Sequence, residues 1–297
     1  MYRRCLYIPK LLIFLKLYIR VGLWIIMESN FINIDLENEK DIIDLEVLSD
    51  EHTGDPKQDI ELWNRREEAI LDDPLRYTAF GGDQFNNIMP WDKRYNIDEG
   101  VPMPSLTTEV KQWSDHHKAL FELNKHMIET TGTPKIWYGL AGNHEYMDRT
   151  IDHAWMTDLF ESRNIKYLGS KGWIGLQISY KGVPKRRWKL FVAHGFGGST
   201  SLEKPLQDTK VNNYADVFLI GHFHRKFISQ EIVYDYSFAD KTYISKEIVL
   251  GNTGTFTNSI LRGKDSWFEH RNKGLHSRPG TITISFDADN GKLSCHL

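Results

Sequence analysis

Five apolar segments of this chain each lead into polar residues that can bind a ligand, and this repeated arrangement restricts the fold. The segments, which we predict to be buried strands, are Ile42–Leu48, Tyr77–Phe80, Ile136–Leu140, Leu190–Ala193 and Val217–Ile220. The polar residues that follow them are Asp50, His52, Asp83, Asn143, His144, His194, His222 and His224. Because ligands bind at the carboxyl ends of strands in open α/β sheets, we expect these eight side chains to converge on one site.

The order of the predicted elements indicates a mixed α/β sandwich. Two predicted helices, Asp59–Leu71 and Thr108–Glu129, lie among the first strands. Two predicted hairpins come later, one around the turn 181–185 and one around the turn 289–291. Strand-helix alternation followed by hairpins is typical of helices packed on sheets that contain both parallel and antiparallel strands.

The residue types at the strand ends suit metal ions. Carboxylate, amide oxygen and imidazole are intermediate to hard ligands, and no thiolate is among them. Eight candidate donors are too many for one ion, whereas two ions that share a carboxylate would use them. A pair of ions about 3.5–4 Å apart is the arrangement that cleaves phosphoesters.

Taken in sequence order, the polar segments at the strand ends resemble the motifs of the calcineurin-like metallophosphoesterases. That family has the pattern D-x-H, G-D-x-x-[DN], G-N-H-[DE], a lone H, and G-H-x-H. The corresponding segments here are 50–52, 82–86, 142–145, His194 and 221–224. There is also a looser similarity to microbial and phage-type members. The resemblance covers most of residues 40–255 and implies a four-layer αββα sandwich of two mixed β-sheets flanked by helices.

The resemblance also implies a role for each residue at a dinuclear metal site. The implied ligands of the first ion are Asp50, His52 and His224. Those of the second ion are Asn143, His194 and His222, and Asp83 bridges both ions. His144 would not bind metal but would act on the phosphate as the catalytic residue, while a hydroxide shared by the ions attacks phosphorus. Mn²⁺ is the first candidate, with Fe and Zn²⁺ as alternatives, because nitrogen and oxygen ligands do not separate them.

Other residues of the motifs and the remaining histidines receive less specific predictions. Asn86 is expected to orient a ligand, Glu145 to hold its loop in place, and Glu51 to be a solvated loop residue. A histidine outside the motifs is expected to be structural or on the surface. These histidines are His116, His117, His126, His153, His270, His276 and His296.

The substrate is a phosphoester whose class stays open. A nuclease of the same fold is the first alternative, and a non-catalytic binding scaffold is the second. Nucleic acid stays open as a partner because of a basic and aromatic segment with Arg262, Lys264, Trp267, Phe268, Arg271, Lys273 and Arg278. A second basic cluster, at Lys181, Lys185, Arg186, Arg187 and Lys189, is expected to be a solvated hairpin tip. No protein partner is predicted.

The first 26 residues differ in character from the rest of the chain. They contain five basic side chains and no acidic one, so the remaining 32 basic and 40 acidic residues give 27–297 a net charge of −8. Three interpretations stay open: translation that starts at Met27, a weak membrane anchor, and an exported protein. We predict an extension over 1–26 and one metallophosphoesterase domain over 27–297, with membrane contact only if the extension is native. The two cysteines, Cys5 and Cys295, make no disulfide framework and favour a cytoplasmic location.

Overall fold

The computed structural model describes residues 29–88, 105–146, 154–195, 197, 201–258 and 278–297. The predicted extension 1–26 and the basic and aromatic segment up to residue 277 lie outside the described residues, so both stay predictions. The strands are β1 (Ser29–Leu36), β2 (Ile42–Leu48), β3 (Arg76–Phe80), β4 (Ile136–Gly139), β5 (Lys171–Tyr180), β6 (Val183–Ala193), β7 (Val217–Ile220), β8 (Lys226–Ser237), β9 (Thr242–Thr253), β10 (Thr283–Asp287) and β11 (Lys292–His296). The helices are α1 (Ile60–Asp72), α2 (Leu106–His116), α3 (Lys118–Thr131), α4 (Ala154–Glu161) and α5 (Glu203–Asn212).

The strands form two mixed β-sheets, as the sequence predicts. One sheet has six strands in the order β1, β5, β6, β7, β9, β8, and the other has five in the order β11, β10, β2, β3, β4. Strands β2, β3 and β4 are parallel neighbours, and so are β6, β7 and β9. The two predicted hairpins are present as the antiparallel pairs β5–β6 and β10–β11. The central strands are buried on both faces, which explains why they are near-continuous apolar runs in the sequence.

Three apolar clusters hold the layers together. The largest lies between the sheets and includes Ile34, Val47, Leu190 and Phe286. A second cluster packs α1 to α4 against the outer face of the five-stranded sheet. A third packs α5 against the outer face of the six-stranded sheet, through Leu206. The fold is therefore a sandwich of two mixed sheets with helices on both outer faces, which confirms the predicted four-layer class.

The prediction of one helix over Thr108–Glu129 is wrong, because the structure divides it into α2 and α3. The two helices meet at His117, whose ψ of 14° departs from helical geometry. The side chain of His117 is fully buried between Glu51 and Glu67, so the junction coincides with two buried polar contacts. Apolar spacing alone does not reveal such a junction, since the spacing of buried positions continues across it.

The sequence pattern does not predict strands β1 and β8, the first half of β9 or two short helices. Strand β8 and the first half of β9 are largely exposed and form a long hairpin, so they lack the apolar runs of the central strands. Strand β1 alternates buried and exposed residues beside β5. Helices α4 and α5 are also absent from the prediction. No helix in the described part of the chain is long and apolar enough to cross a membrane.

Candidate metal centre

The structure brings the candidate residues together at one edge of the sandwich. Strands β2, β3 and β4 of one sheet and β6 and β7 of the other end at this edge, and each candidate residue lies just beyond its strand. Asp50, Asp83, His144 and His194 are almost completely buried. His222 is half-buried. The site is therefore formed where loops from both sheets meet.

The first group consists of Asp50, His52 and His224. Nε2 of His224 lies 3.1 Å from Oδ1 of Asp50 and 3.0 Å from Nε2 of His52. The three residues can each offer one ligand atom, and these atoms lie within 4.8 Å of one another. Asp50 is held by Ser49, whose hydroxyl donates to Oδ2 at 2.6 Å, so Oδ1 faces the group.

The second group consists of Asp83, His194 and His222, whose ligand atoms also lie within 4.8 Å of one another. Nε2 of His194 lies 3.0 Å from Oδ2 of Asp83. Nδ1 of His194 donates to the carbonyl of Gly81 at 2.9 Å, because a carbonyl can only accept, and this contact directs Nε2 to the group. Oδ1 of Asn143 is buried and has no hydrogen-bond partner within the described residues.

Asp83 belongs to both parts of the site. It forms a further group with His52 and His144 in which the ligand atoms again lie within 4.8 Å. The backbone N–H of His144 donates to Oδ1 of Asp83 at 2.8 Å. One oxygen of Asp83 therefore faces His194, while the carboxylate as a whole lies between the histidines of the two groups.

Five of these side chains leave the backbone at residues with left-handed geometry. The φ values lie between 47° and 73°, at Asp50, His52, Asp83, His222 and His224. Non-glycine residues adopt this geometry only occasionally, and strained residues cluster at functional sites. The sharp turns let Asp50 and His52 reach the same group and let His222 and His224 reach different groups.

The charges of the site suit cations. Burial opposes ionisation of Asp50, but the imidazoles of His194 and His224 outweigh it and lower the pKa of Asp50 to about 2. The pKa of Asp83 is also lowered well below its usual value, because His194 and His144 outweigh burial. Burial and the neighbouring His144 keep the pKa of His52 far below its ordinary value. The carboxylates are thus ionised and His52 is neutral, which are the states that bind metal.

His194 differs from His52. Burial lowers its pKa, but the carboxylates of Asp83 and Asp50 outweigh burial and raise the pKa to about 10. His194 therefore carries two ring protons beside Asp83 and must release one before Nε2 can bind a cation. The pair of ionised carboxylates, the convergent nitrogens and the unpartnered Oδ1 of Asn143 fit two divalent cations.

Glu145 connects the loops that carry the site. Its carboxylate accepts hydrogen bonds from the backbone N–H groups of Asp83, Phe85 and Gly142, at 3.0, 3.1 and 2.7 Å. Burial, followed by the charge of Asp83, raises the pKa of Glu145 to about 8. These contacts agree with the expectation that Glu145 holds its loop in place.

The prediction that Glu51 is solvated is wrong. Its side chain is fully buried on the helical side of the loop between Asp50 and His52. Its carboxylate accepts hydrogen bonds from the indole N–H groups of Trp63 and Trp113 at 2.8 and 2.7 Å, and Nε2 of His117 lies 3.1 Å away. The sequence around Glu51 does not indicate this burial, since Trp63 and Trp113 belong to two different helices.

The basic hairpin tip is remote from the site. Strand β6 reaches the site at its carboxyl end, Ala193, whereas Lys185 is near its beginning. At about 3.3 Å per residue, the two are separated by about 26 Å. The side chains from Val183 to Arg187 are exposed, and Lys185 pairs with Glu39. This agrees with the expectation of a solvated tip.

Comparison with known proteins gives remote similarities. No protein family and no curated protein matches the chain. Among solved structures, Vps29 from Entamoeba histolytica complexed with Zn²⁺ has 10% identity and a TM-score of 0.37, and the match covers 86% of this chain and 97% of that one. Vps29 from Cryptosporidium parvum has 13% identity and a TM-score of 0.35, with 86% and 96% covered.

A third similar structure is a predicted phosphoesterase from Streptococcus pneumoniae TIGR4, with 12% identity, a TM-score of 0.28, and 86% and 98% covered. None of the three structures is described as a phage protein, so the similarity to phage-type members stays a prediction. Structural similarities with such low TM-scores do not support an assignment of activity. What the geometry defines is a two-sheet sandwich with histidine and carboxylate groups at one edge that can bind metal.

Proposed function

We propose that this chain is a phosphoesterase that uses two divalent cations to hydrolyse a phosphate mono- or diester. The observation that carries the proposal is the position of Asp83, whose carboxylate lies between the two histidine groups. In the proposal Asp83 bridges the cations. The ligands of the first are Asp50, His52 and His224, and those of the second are Asn143, His194 and His222.

When bound, two divalent cations polarise phosphoryl oxygens and lower the pKa of a water molecule to near neutrality. Mn²⁺ is our first candidate, with Fe and Zn²⁺ as alternatives, because all three accept imidazole and carboxylate ligands. The ionised Asp50 and Asp83 supply negative charge that compensates the cations. The buried loops around them limit the access of bulk water.

His144 is the residue to which we assign the proton transfer. Nδ1 of His144 lies 2.5 Å from the carbonyl oxygen of Asn86, to which it donates. The backbone of His144 is fixed by two further contacts, with Oδ1 of Asp83 and with Nδ2 of Asn87, which donates to the carbonyl of His144 at 2.7 Å. Because Nδ1 donates to that carbonyl, the proton for the leaving oxygen would come from Nε2 of the doubly protonated imidazolium, which becomes a neutral imidazole on transfer.

His144→Ala tests this role. We expect it to keep its bound cations but to lower kcat by about 10²–10⁴-fold for a poor leaving group. For a nitrophenolate, which needs little protonation, the loss should be much smaller. His194→Ala should instead weaken metal binding whatever the leaving group. Equal losses of His144→Ala on both substrates would contradict the proton-transfer role.

Asp83→Asn tests the bridging role. Crystals of the full chain soaked with Mn²⁺ should show two anomalous peaks beside Asp83, and the variant should lose occupancy at both. Occupancy lost at one position only would show that Asp83 serves a single ion. Turnover of a phosphomonoester, a phosphodiester and single-stranded DNA by the Mn²⁺-loaded protein then defines the substrate class. Absence of turnover on all three, with both ions bound, would favour the binding scaffold.

A further inference from the structure

The junction between α2 and α3 gathers a second set of metal-binding side chains outside the site described above. His116 ends α2, His117 joins it to α3, and both rings approach Glu67 of α1. Nε2 of His116 lies 2.8 Å and Nδ1 of His117 lies 3.1 Å from Oε2 of Glu67. The two imidazole rings are nearly perpendicular, with centroids 4.9 Å apart. Two adjacent histidines therefore point to one carboxylate.

These polar atoms are buried and incompletely satisfied. Oε1 of Glu67 is inaccessible to solvent and makes no hydrogen bond within the described residues, while Nε2 of His116 and Nδ1 of His117, also inaccessible to solvent, both converge on Oε2. Leaving a buried polar atom without a hydrogen bond costs about 1–3 kcal/mol. One unpaired carboxylate oxygen beside two converging imidazole nitrogens indicates a ligand that would satisfy it.

The second nitrogen of His117 is already held by a carboxylate. Its Nε2 lies 3.1 Å from Oε1 of Glu51, and that carboxylate is fixed by the indoles of Trp63 and Trp113. Metal-binding histidines almost always donate their other ring N–H to a carboxylate or carbonyl, which fixes the tautomer. Glu51 therefore directs Nδ1 of His117 toward Glu67, where Nδ1 can bind a metal ion once it has released its proton.

We propose that Glu67, His116 and His117 form a third metal site, of the two-histidine and one-glutamate kind that binds Zn²⁺. Zn²⁺ binds nitrogen and carboxylate oxygen at about 2.0–2.2 Å, so tetrahedral ligands lie about 3.3 Å apart. The observed contacts of 2.8 and 3.1 Å are close to that spacing, and the ligand atoms lie within 4.8 Å of one another. Mg²⁺ and Ca²⁺ fit less well, because they prefer all-oxygen sites.

A cavity borders this site at His116. It has a volume of about 620 Å³ and is lined by His116, Trp63 and Asp115, together with residues 53–55 of the loop beyond His52. The side chain of His116 is 16% exposed, whereas that of His117 is fully buried. Three protein ligands leave the fourth position of a tetrahedral ion open, as in catalytic zinc sites. A water molecule or a small anion that enters the cavity would take that position.

His116→Ala tests the proposal without removing a fully buried group. The matched control is His126→Ala, which changes an exposed histidine on α3. In crystals of the full chain soaked with Zn²⁺, an anomalous peak should lie within bonding distance of Glu67, His116 and His117, and it should disappear in His116→Ala only. Its absence from the unaltered chain would overturn the proposal, whether or not ions bind beside Asp83.

A solution measurement gives a second, independent test. Co²⁺ titrated into the unaltered chain and into His126→Ala should give the strong visible absorption of a tetrahedral site. Glu67→Gln, which keeps the shape of the side chain, should lower that component of the absorption and weaken Co²⁺ binding there. The loss should exceed the roughly 10–100-fold that removal of an outer hydrogen-bond partner causes. Unchanged absorption and affinity in both His116→Ala and Glu67→Gln would show that the cluster is an ion-pair network only.

Discussion

Glu51→Gln is the substitution that best tests how the structure supports the loop that carries Asp50 and His52. Glu51 lies between Asp50 and His52 in the sequence, but its carboxylate points away from them into the helical layer. There it accepts two indole hydrogen bonds and contacts His117. Glutamine has the same shape but offers one acceptor oxygen and an NH₂ group. The amide therefore places a donor against one of the two indole N–H groups.

The expected cost is large because every group involved is buried. A hydrogen bond to a charged group contributes about 1.5–3 kcal/mol, and an indole N–H left unpaired costs about 1–3 kcal/mol more. Burial opposes the charge of His117, but the carboxylates of Glu51 and Glu67 raise its pKa to about 9, so the substitution also weakens an ion pair. Breaking a buried pair costs about 3–5 kcal/mol. These terms overlap, and we expect the free energy of unfolding to fall by about 3–5 kcal/mol.

Urea unfolding followed by tryptophan fluorescence measures this loss, since Trp63 and Trp113 both contact the altered residue. The control is Glu68→Gln, an exposed position on the same helix as Trp63, where a change within about 0.5 kcal/mol is expected. A Glu51→Gln variant as stable as this control would refute the inferred network. Zn²⁺ affinity at the site of His117 should also fall, by about 10–100-fold.

Three further substitutions or truncations test other parts of the structure. In Gly142→Ala, the new Cβ would lie 2.1 Å from Oδ1 of Asp83, so displacement of that carboxylate should lower kcat/KM by about 100-fold. In the control variant Gly175→Ala, the new Cβ would meet only an exposed ring, so kcat/KM should be unchanged. Burial raises the pKa of Glu109 to about 8 in the folded protein, above the value of 4.5 in the unfolded chain. Folding therefore favours the protonated carboxyl group, and the free energy of unfolding falls as the pH rises between these two values. Glu109→Gln should remove a slope of up to about 1.4 kcal/mol per pH unit, measured by unfolding at pH 5–8, and an unchanged slope would contradict this assignment. A chain that starts at Met27 should keep its fold and activity, and its insolubility would show that the extension belongs to the domain.

The central strands and the candidate ligands could be predicted because the same constraint produces both. A parallel strand in the middle of a sandwich is buried on both faces, so β7 is apolar from end to end and β2 is apolar except for Asp44 and Glu46, and their limits are visible in the sequence. The chain then turns sharply at the edge of the sheet. Asp50 and His222 follow these limits directly, which is why a motif search locates them.

The supporting contacts could not be predicted in the same way. Glu51 looks like a solvated loop residue because nothing near it in the sequence shows that two tryptophans donate to it from α1 and α2. The junction at His117 is hidden for a similar reason, since the buried positions of α2 and α3 keep helical spacing. The outer half of β8 and β9 is largely exposed, so its strands depend on pairing with each other rather than on an apolar pattern.

The left-handed backbone at five candidate ligands has a consequence for how this sequence can change. A non-glycine residue in that conformation is less stable by about 1–2 kcal/mol, whereas glycine adopts it freely and asparagine readily. Variants selected for resistance to heat alone should therefore accumulate glycine or asparagine at Asp50, His52, Asp83, His222 and His224. Variants selected for metal-dependent function should keep the strained residues. Thermal selection and functional selection thus act in opposite directions at the same positions, so a heat-stable descendant of this chain can lose its chemistry while its fold improves.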